Sequence, residues 1–144
     1  MFKKILVPTD GSELSDKAVE GAISLAKSLG ASIVAVTVSE PYSYSNLSEY
    51  RPESIDDYEL RMKHLAHERL EKVQAATAVA GVPTEVVQVK SFSPFEAIIN
   101  AANDHQCDVI FMASHGRKGL AAVLLGSETQ KVLTHSTIPV MVYR

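Results

Sequence analysis

The chain has 144 residues, which suits one domain built around a single core and is short for two. A formal charge of −3 and a pI near 5.9 exclude the broad basic footprint of a duplex nucleic-acid binder or of a protein held to anionic lipid. No apolar stretch approaches bilayer-spanning length, the start enters a strand instead of a signal peptide, and the lone Cys107 has no internal disulfide partner, so a cytoplasmic protein in a reducing compartment is expected.

In chain order, Lys3-Lys4-Ile5-Leu6-Val7-Pro8 reads as a buried strand closed by a residue without a donor. Thr9-Asp10-Gly11-Ser12 follows as a turn, and Ser12 or Ser15 caps a helix running to about Leu29. In that helix Ala18, Ala22, Leu25, Ala26 and Leu29 recur at helical spacing, and Gly30 supplies a left-handed end. Residues 31–38, dense in β-branched side chains, form a second strand parallel to the first by the crossover rule. Residues 40–54 show neither period and predict a long loop or lid, whose Tyr42 and Tyr44 either stack on a purine or stand in solvent. Residues 56–80 predict an amphipathic helix with Tyr58, Met62, Leu65, Leu70 and Val73 inward, stopped by Gly81 and Pro83. His64 and His67 lie one turn apart on it without a third ligand, so a solvated face is expected and no metal site.

Residues 84–90 alternate in part, as a strand near a sheet edge does. Ser93-Pro94-Phe95-Glu96 predicts a capping box with proline at the first helical position, opening a helix to about His105. Cys107 reads as a small buried residue before the fourth strand, residues 108–113. A helix is expected from Ser127 to about Thr134, and a fifth strand from Pro139 to Tyr143. The alternation of strand and helix predicts a three-layer, doubly wound α/β fold with a five-stranded parallel sheet, Rossmann-like in outline.

Chemistry concentrates after the fourth strand. Gly116 and Gly126 let backbone N–H groups approach an oxyanion, and the helix start at Ser127 adds a partial positive charge. Alone, such a loop also occurs in ligand-free α/β domains. In open parallel sheets, however, ligands bind beyond the carboxyl ends of the strands where the winding reverses. Thr9-Asp10, Val38 and the turn from Ala113 to Gly116 should meet there, and together they describe a nucleotide. Asp10 either accepts hydrogen bonds from that ligand or closes an Asx turn.

The start Lys4-Ile5-Leu6-Val7-Pro8-Thr9-Asp10-Gly11-Ser12, the loop Ala113-Ser114-His115-Gly116-Arg117-Lys118-Gly119, the Gly126-Ser127 pair and the ending Ile138-Pro139-Val140-Met141-Val142 resemble the universal stress protein family along the whole chain. The nucleotide-binding branch of that family carries Gly, two residues, Gly, nine residues, Gly, then Ser or Thr. Ala113, Gly116, Gly126 and Ser127 stand at those positions, so Ala113 departs from the pattern. It is tolerable where the backbone avoids positive φ and the ligand does not press on Cβ. The resemblance implies that Pro8, Thr9, Asp10 and Val38 surround adenine and ribose, with Met112 and Ala113 also among the cofactor-binding residues. Gly116, Gly126, Ser127, Glu128 and Thr129 would face the phosphates, mainly through backbone N–H and hydroxyl groups. Arg117 and Lys118 either neutralise charge or are solvated, and His115 either lines the pocket or points to water. ATP is the implied ligand, with Mg2+ as its candidate companion, and the family resemblance also implies a homodimer through the strand from Pro139 to Tyr143.

Neither Gly-Lys-Ser, Gly-Lys-Thr nor Gly-x-Ser-x-Gly occurs, and no general base is evident, so an enzyme is not expected. The expected function is an ATP-binding stress-response module whose nucleotide orders the tyrosine loop and the glycine loop. The alternatives are a nucleotide-independent interaction protein and a weak ATP hydrolase.

Overall fold

Continuous apolar runs fall in the middle of the sheet and alternating ones at its edges. The computed structural model describes residues 1–43, 53–116 and 125–144. Within them β1 (Lys4–Pro8), β2 (Ser32–Ser39), β3 (Thr84–Lys90), β4 (Val109–Ala113) and β5 (Val140–Tyr143) form one sheet in the order β3-β2-β1-β4-β5. Every pairing is parallel, with Ile5 opposite both Ile33 and Val109. β4 is buried throughout and β1 and β2 nearly so, whereas β3 and β5 alternate between sheltered and exposed positions. A strand covered on both faces tolerates no polar alternation, and an edge strand does.

Four helices are described: α1 (Glu13–Leu29), α2 (Ile55–Ala80), α3 (Pro94–Asp104) and α4 (Ser127–His135). α1 and α2 cover one face, where Ala18, Ala22, Leu70 and Val73 pack on Ile5, Val7 and Ile33. α3 and α4 cover the other, where Ile98, Ala102 and Val132 pack on Leu6, Val34 and Ile110. These are the three layers expected. Ser12 accepts the Ser15 N–H at 3.2 Å as the N-cap of α1, and Gly30 and Gly81 end α1 and α2 at φ of 66° and 72°, conformations a Cβ disfavours. Leu29, expected on the inner face, is 45% exposed because it lies at the last residue of α1, beyond the edge of the core.

The expected capping box at α3 does not form. Ser93 is the N-cap residue, but its side chain makes no capping bond, and its own N–H is taken by the Ser91 hydroxyl at 3.0 Å. A carboxylate far along the chain replaces the box: Glu128 of α4 accepts the Phe95 N–H at 2.9 Å. A first-turn donor needs an acceptor, and tertiary packing supplies it from another helix.

Asp108 ties the two halves together, accepting the Lys3 and Lys4 N–H groups at 2.8 and 3.3 Å. Beside it Cys107 is buried, and loss of hydration pushes its thiol up to about 11. A raised acid pKa leaves stability whole below the ordinary thiol value of 9.0, and that share is lost as pH climbs toward about 11. Native protein at pH 8 should therefore resist a thiol reagent that modifies the unfolded chain completely. Stability measured by denaturant unfolding should fall between pH 9 and 11 less steeply in Cys107→Ala than in the native sequence.

Candidate functional site

The winding reverses at β1, which has β2 on one side and β4 on the other. A cleft of about 760 Å³ opens over the carboxyl ends of these strands. Pro8, Thr9 and Asp10 reach it from β1, Val38 from β2, Met112 and Ala113 from β4, and His115 and Gly116 from the turn that follows. Gly126, Ser127, Glu128 and Thr129 reach it from the start of α4. The described residues expected from sequence to hold the cofactor thus line a single cleft. Arg117 and Lys118 lie outside the described residues, as do Tyr44 and the rest of residues 44–52.

Two hydrogen bonds seat α4 on β4. The Gly126 N–H donates to the Ser114 carbonyl at 2.8 Å, and the buried Thr129 hydroxyl donates to the Ala113 carbonyl at 3.1 Å. The hydroxyl expected to face phosphate is therefore engaged with β4. What α4 offers the cleft is its backbone: Gly126 is its N-cap and brings no side-chain capping bond. The first-turn N–H groups of Ser127, Glu128 and Thr129 have no acceptor within the helix, and the macrodipole adds to their positive end. The Glu128 carboxylate is turned toward the Phe95 N–H and Lys131, the latter at 3.5 Å.

Close approach leaves no room for a Cβ at Gly126, and at Gly116 a Cβ would have to displace the end of the Asp10 side chain. A Cβ on Gly116 would collide with the Asp10 carboxylate, and one on Gly126 would stand 2.9 Å from His115 Cα and Cβ. Neither has a positive φ. Ala113 is the last residue of β4 in ordinary strand geometry, so its methyl group costs the backbone nothing. Asp10 closes the Asx turn with one oxygen, accepting the Ser12 N–H at 2.9 Å, while its other oxygen faces Gly116. His115 lines the cleft with its Nδ1 2.9 Å from the Ser114 hydroxyl.

One wall was not foreseen. Tyr58, Arg61, Met62, Leu65 and Arg69 of α2 line the cleft, as do Ser91, Phe92 and Pro94 on the way into α3. Met62 and Leu65, expected in the core, are half-buried because they face this space. A signal was present in the sequence: Arg69 continues the stripe Tyr58, Met62, Leu65, putting a cation on an apolar face. Arg61 forms a two-pronged pair with Glu53, both bonds at 2.9 Å, and lies 5.4 Å from the Tyr58 ring centroid. Tyr42 is engaged in the same cluster. Its ring meets Tyr58 edge-on at 5.4 Å and its hydroxyl donates to the Glu53 carbonyl at 3.2 Å, while the Tyr58 hydroxyl donates to the Glu40 carbonyl at 2.8 Å. His64 and His67 pair instead with Glu68 and Glu71 on the solvent face of α2, and no metal-holding group of His, Cys, Asp and Glu is found among the described residues.

Comparison with known proteins gives the family and the fold. The model of the Universal stress protein family matches residues 1–144. A universal stress protein of Thermus aquaticus is 34% identical over 145 residues, covering all of both chains. The solved structure of MJ0577, a universal stress protein of Methanocaldococcus jannaschii, superposes with a TM-score of 0.83 at 27% identity, over 99% of this chain and 95% of that one. A universal stress protein solved in complex with cAMP has the same fold, with a TM-score of 0.75 at 22% identity over 99% and 97% of the two chains.

The Arg61 hydrogen bonds hold the Glu53 carboxyl below its ordinary value. A depressed carboxylate contributes stability above the ordinary value of 4.5 and loses it as pH falls through the lowered one. A carboxyl-resolved NMR titration should show Glu53 titrating low in the native chain and at the ordinary position in Arg61→Ala.

Proposed function

The chain belongs to the universal stress protein family, and we propose that it is a cytoplasmic ATP-binding stress-response module. The observation that carries this reading is the start of α4, where uncapped first-turn N–H groups and the Cβ-free backbone of Gly116 and Gly126 meet in one cleft. Phosphates suit that end by charge and by donor supply. Base and ribose suit the other, where Pro8, Val38 and Met112 are apolar and Asp10 offers a carboxylate to hydroxyls. The protein solved with cAMP lends the fold alone, so the weight rests on this cleft.

In this reading Met112, Ala113 and His115 border the nucleotide, and Ser127, Glu128 and Thr129 serve through their N–H groups. Arg117 belongs to the proposed phosphate contacts. Mg2+, where it accompanies ATP, takes its ligands mainly from phosphate and water. The chain acts by binding, not catalysis, and pairs as a homodimer through β5. Among the described residues β5 is the last strand of the sheet, with Met141 and Tyr143 exposed on it. A nucleotide-independent interaction protein is the second reading, favoured by the Ala113 methyl group at the cleft.

Denaturing freshly purified protein should release near-stoichiometric ATP, and Asp10→Ala and Gly126→Val should each lose it, with affinity for added ATP down at least about tenfold, the loss of one good polar contact. An empty native protein that also fails to bind added ATP selects the second reading. A sedimentation mass of one chain at micromolar concentration overturns the dimer.

A further inference from the structure

Phe92 is 62% exposed, and among the large exposed apolar residues described it alone lines the cleft. What sets it apart is its place at the cleft on a loop that is pinned at both ends. The Ser91 N–H donates to the Ser39 carbonyl at 3.0 Å, which fixes one end beside the last residue of β2. The Phe95 N–H donates to Glu128 at 2.9 Å, which fixes the other beside the first turn of α4. Between them the Ser91 hydroxyl donates to the Ser93 carbonyl at 3.2 Å and accepts the Ser93 N–H at 3.0 Å, turning the backbone tightly around Phe92. The loop that carries Phe92 into the lining of the cleft thus runs between the end of β2 and the first turn of α4. Across the sheet, α2 sets Met62 and Leu65 into the same space.

We propose that Phe92 is a specificity-determining residue that stacks on the base of the bound nucleotide, with Met62 and Leu65 on the facing wall. The inference rests on the nucleotide reading above and adds to it the means by which the base is held. A flat π-face opposite flexible apolar side chains favours a planar aromatic ligand, and the larger ring system of a purine over a pyrimidine. Phosphate contacts, made at α4, are independent of this ring.

The test titrates ATP and, as a probe without a base, inorganic tripolyphosphate against the native chain, Phe92→Ala and Phe92→Trp. Phe92→Ala should weaken ATP roughly tenfold, the usual worth of one base–aromatic stack, and leave tripolyphosphate unchanged. The native chain has no tryptophan, so the indole of Phe92→Trp is a lone reporter, and ATP but not tripolyphosphate should quench it. Equal ATP affinity in the native chain and Phe92→Ala, or an indole indifferent to ATP, overturns the role of Phe92 while the nucleotide reading stands. A native chain that binds no ATP overturns both.

Discussion

The buried Thr129 hydroxyl, donating to the Ala113 carbonyl, is the contact on which the cleft depends. With the Gly126 N–H bonded to Ser114, it locks the first turn of α4 onto the end of β4. The helix start is thereby placed over the point where the sheet changes direction. Move that turn and the donors at Ser127, Glu128 and Thr129 no longer meet the residues arriving from β1 and β2. Glu128 extends the same lock sideways, since its carboxylate takes up the first free N–H of α3. One short helix therefore fixes the cleft floor, and through α3 it fixes the neighbouring wall.

How much of this was legible depends on the range of the contact. Strands and helices follow from local periodicity, and their positions in the sheet follow from it too. Ile33 to Val36 is unbroken apolar sequence because β2 is covered on both faces, while β3 exposes Glu85, Gln88 or Lys90 because it lies at an edge. The helix ends at Gly30 and Gly81 are equally local. Ser93 shows the limit: its spacing from Glu96 is right for reciprocal capping, but Ser91 and Glu128 compete for the same groups and win. A pattern of four consecutive residues contains no information about a carboxylate that arrives from another helix.

The site divides in the same way. Residues contributed by turns after strands were recognisable, because strand ends announce where they emerge. The α2 wall was not, since an inward helical stripe reads as core whether it meets protein or open space. Met62 and Leu65 satisfy both descriptions. The glycines read from sequence as openings for an oxyanion, whereas what a Cβ would meet within the protein is the Asp10 carboxylate at Gly116 and His115 at Gly126. Ala113 sits without strain at a position where the family pattern has glycine because it ends β4 in ordinary strand geometry.

The strand order has a consequence for how the protein is made. β1, β2 and β3 are neighbours in sequence and in space, so this half of the sheet can pair as it leaves the ribosome. β4 must then find the other edge of β1 across more than half the chain, a contact of long sequence separation and correspondingly slow closure. Until it docks, Leu6 and Ile5 present an open apolar edge and the cleft does not exist. A growing chain thus acquires the cleft only after β4 and α4 have been made, when the residues that seat α4 have something to sit on.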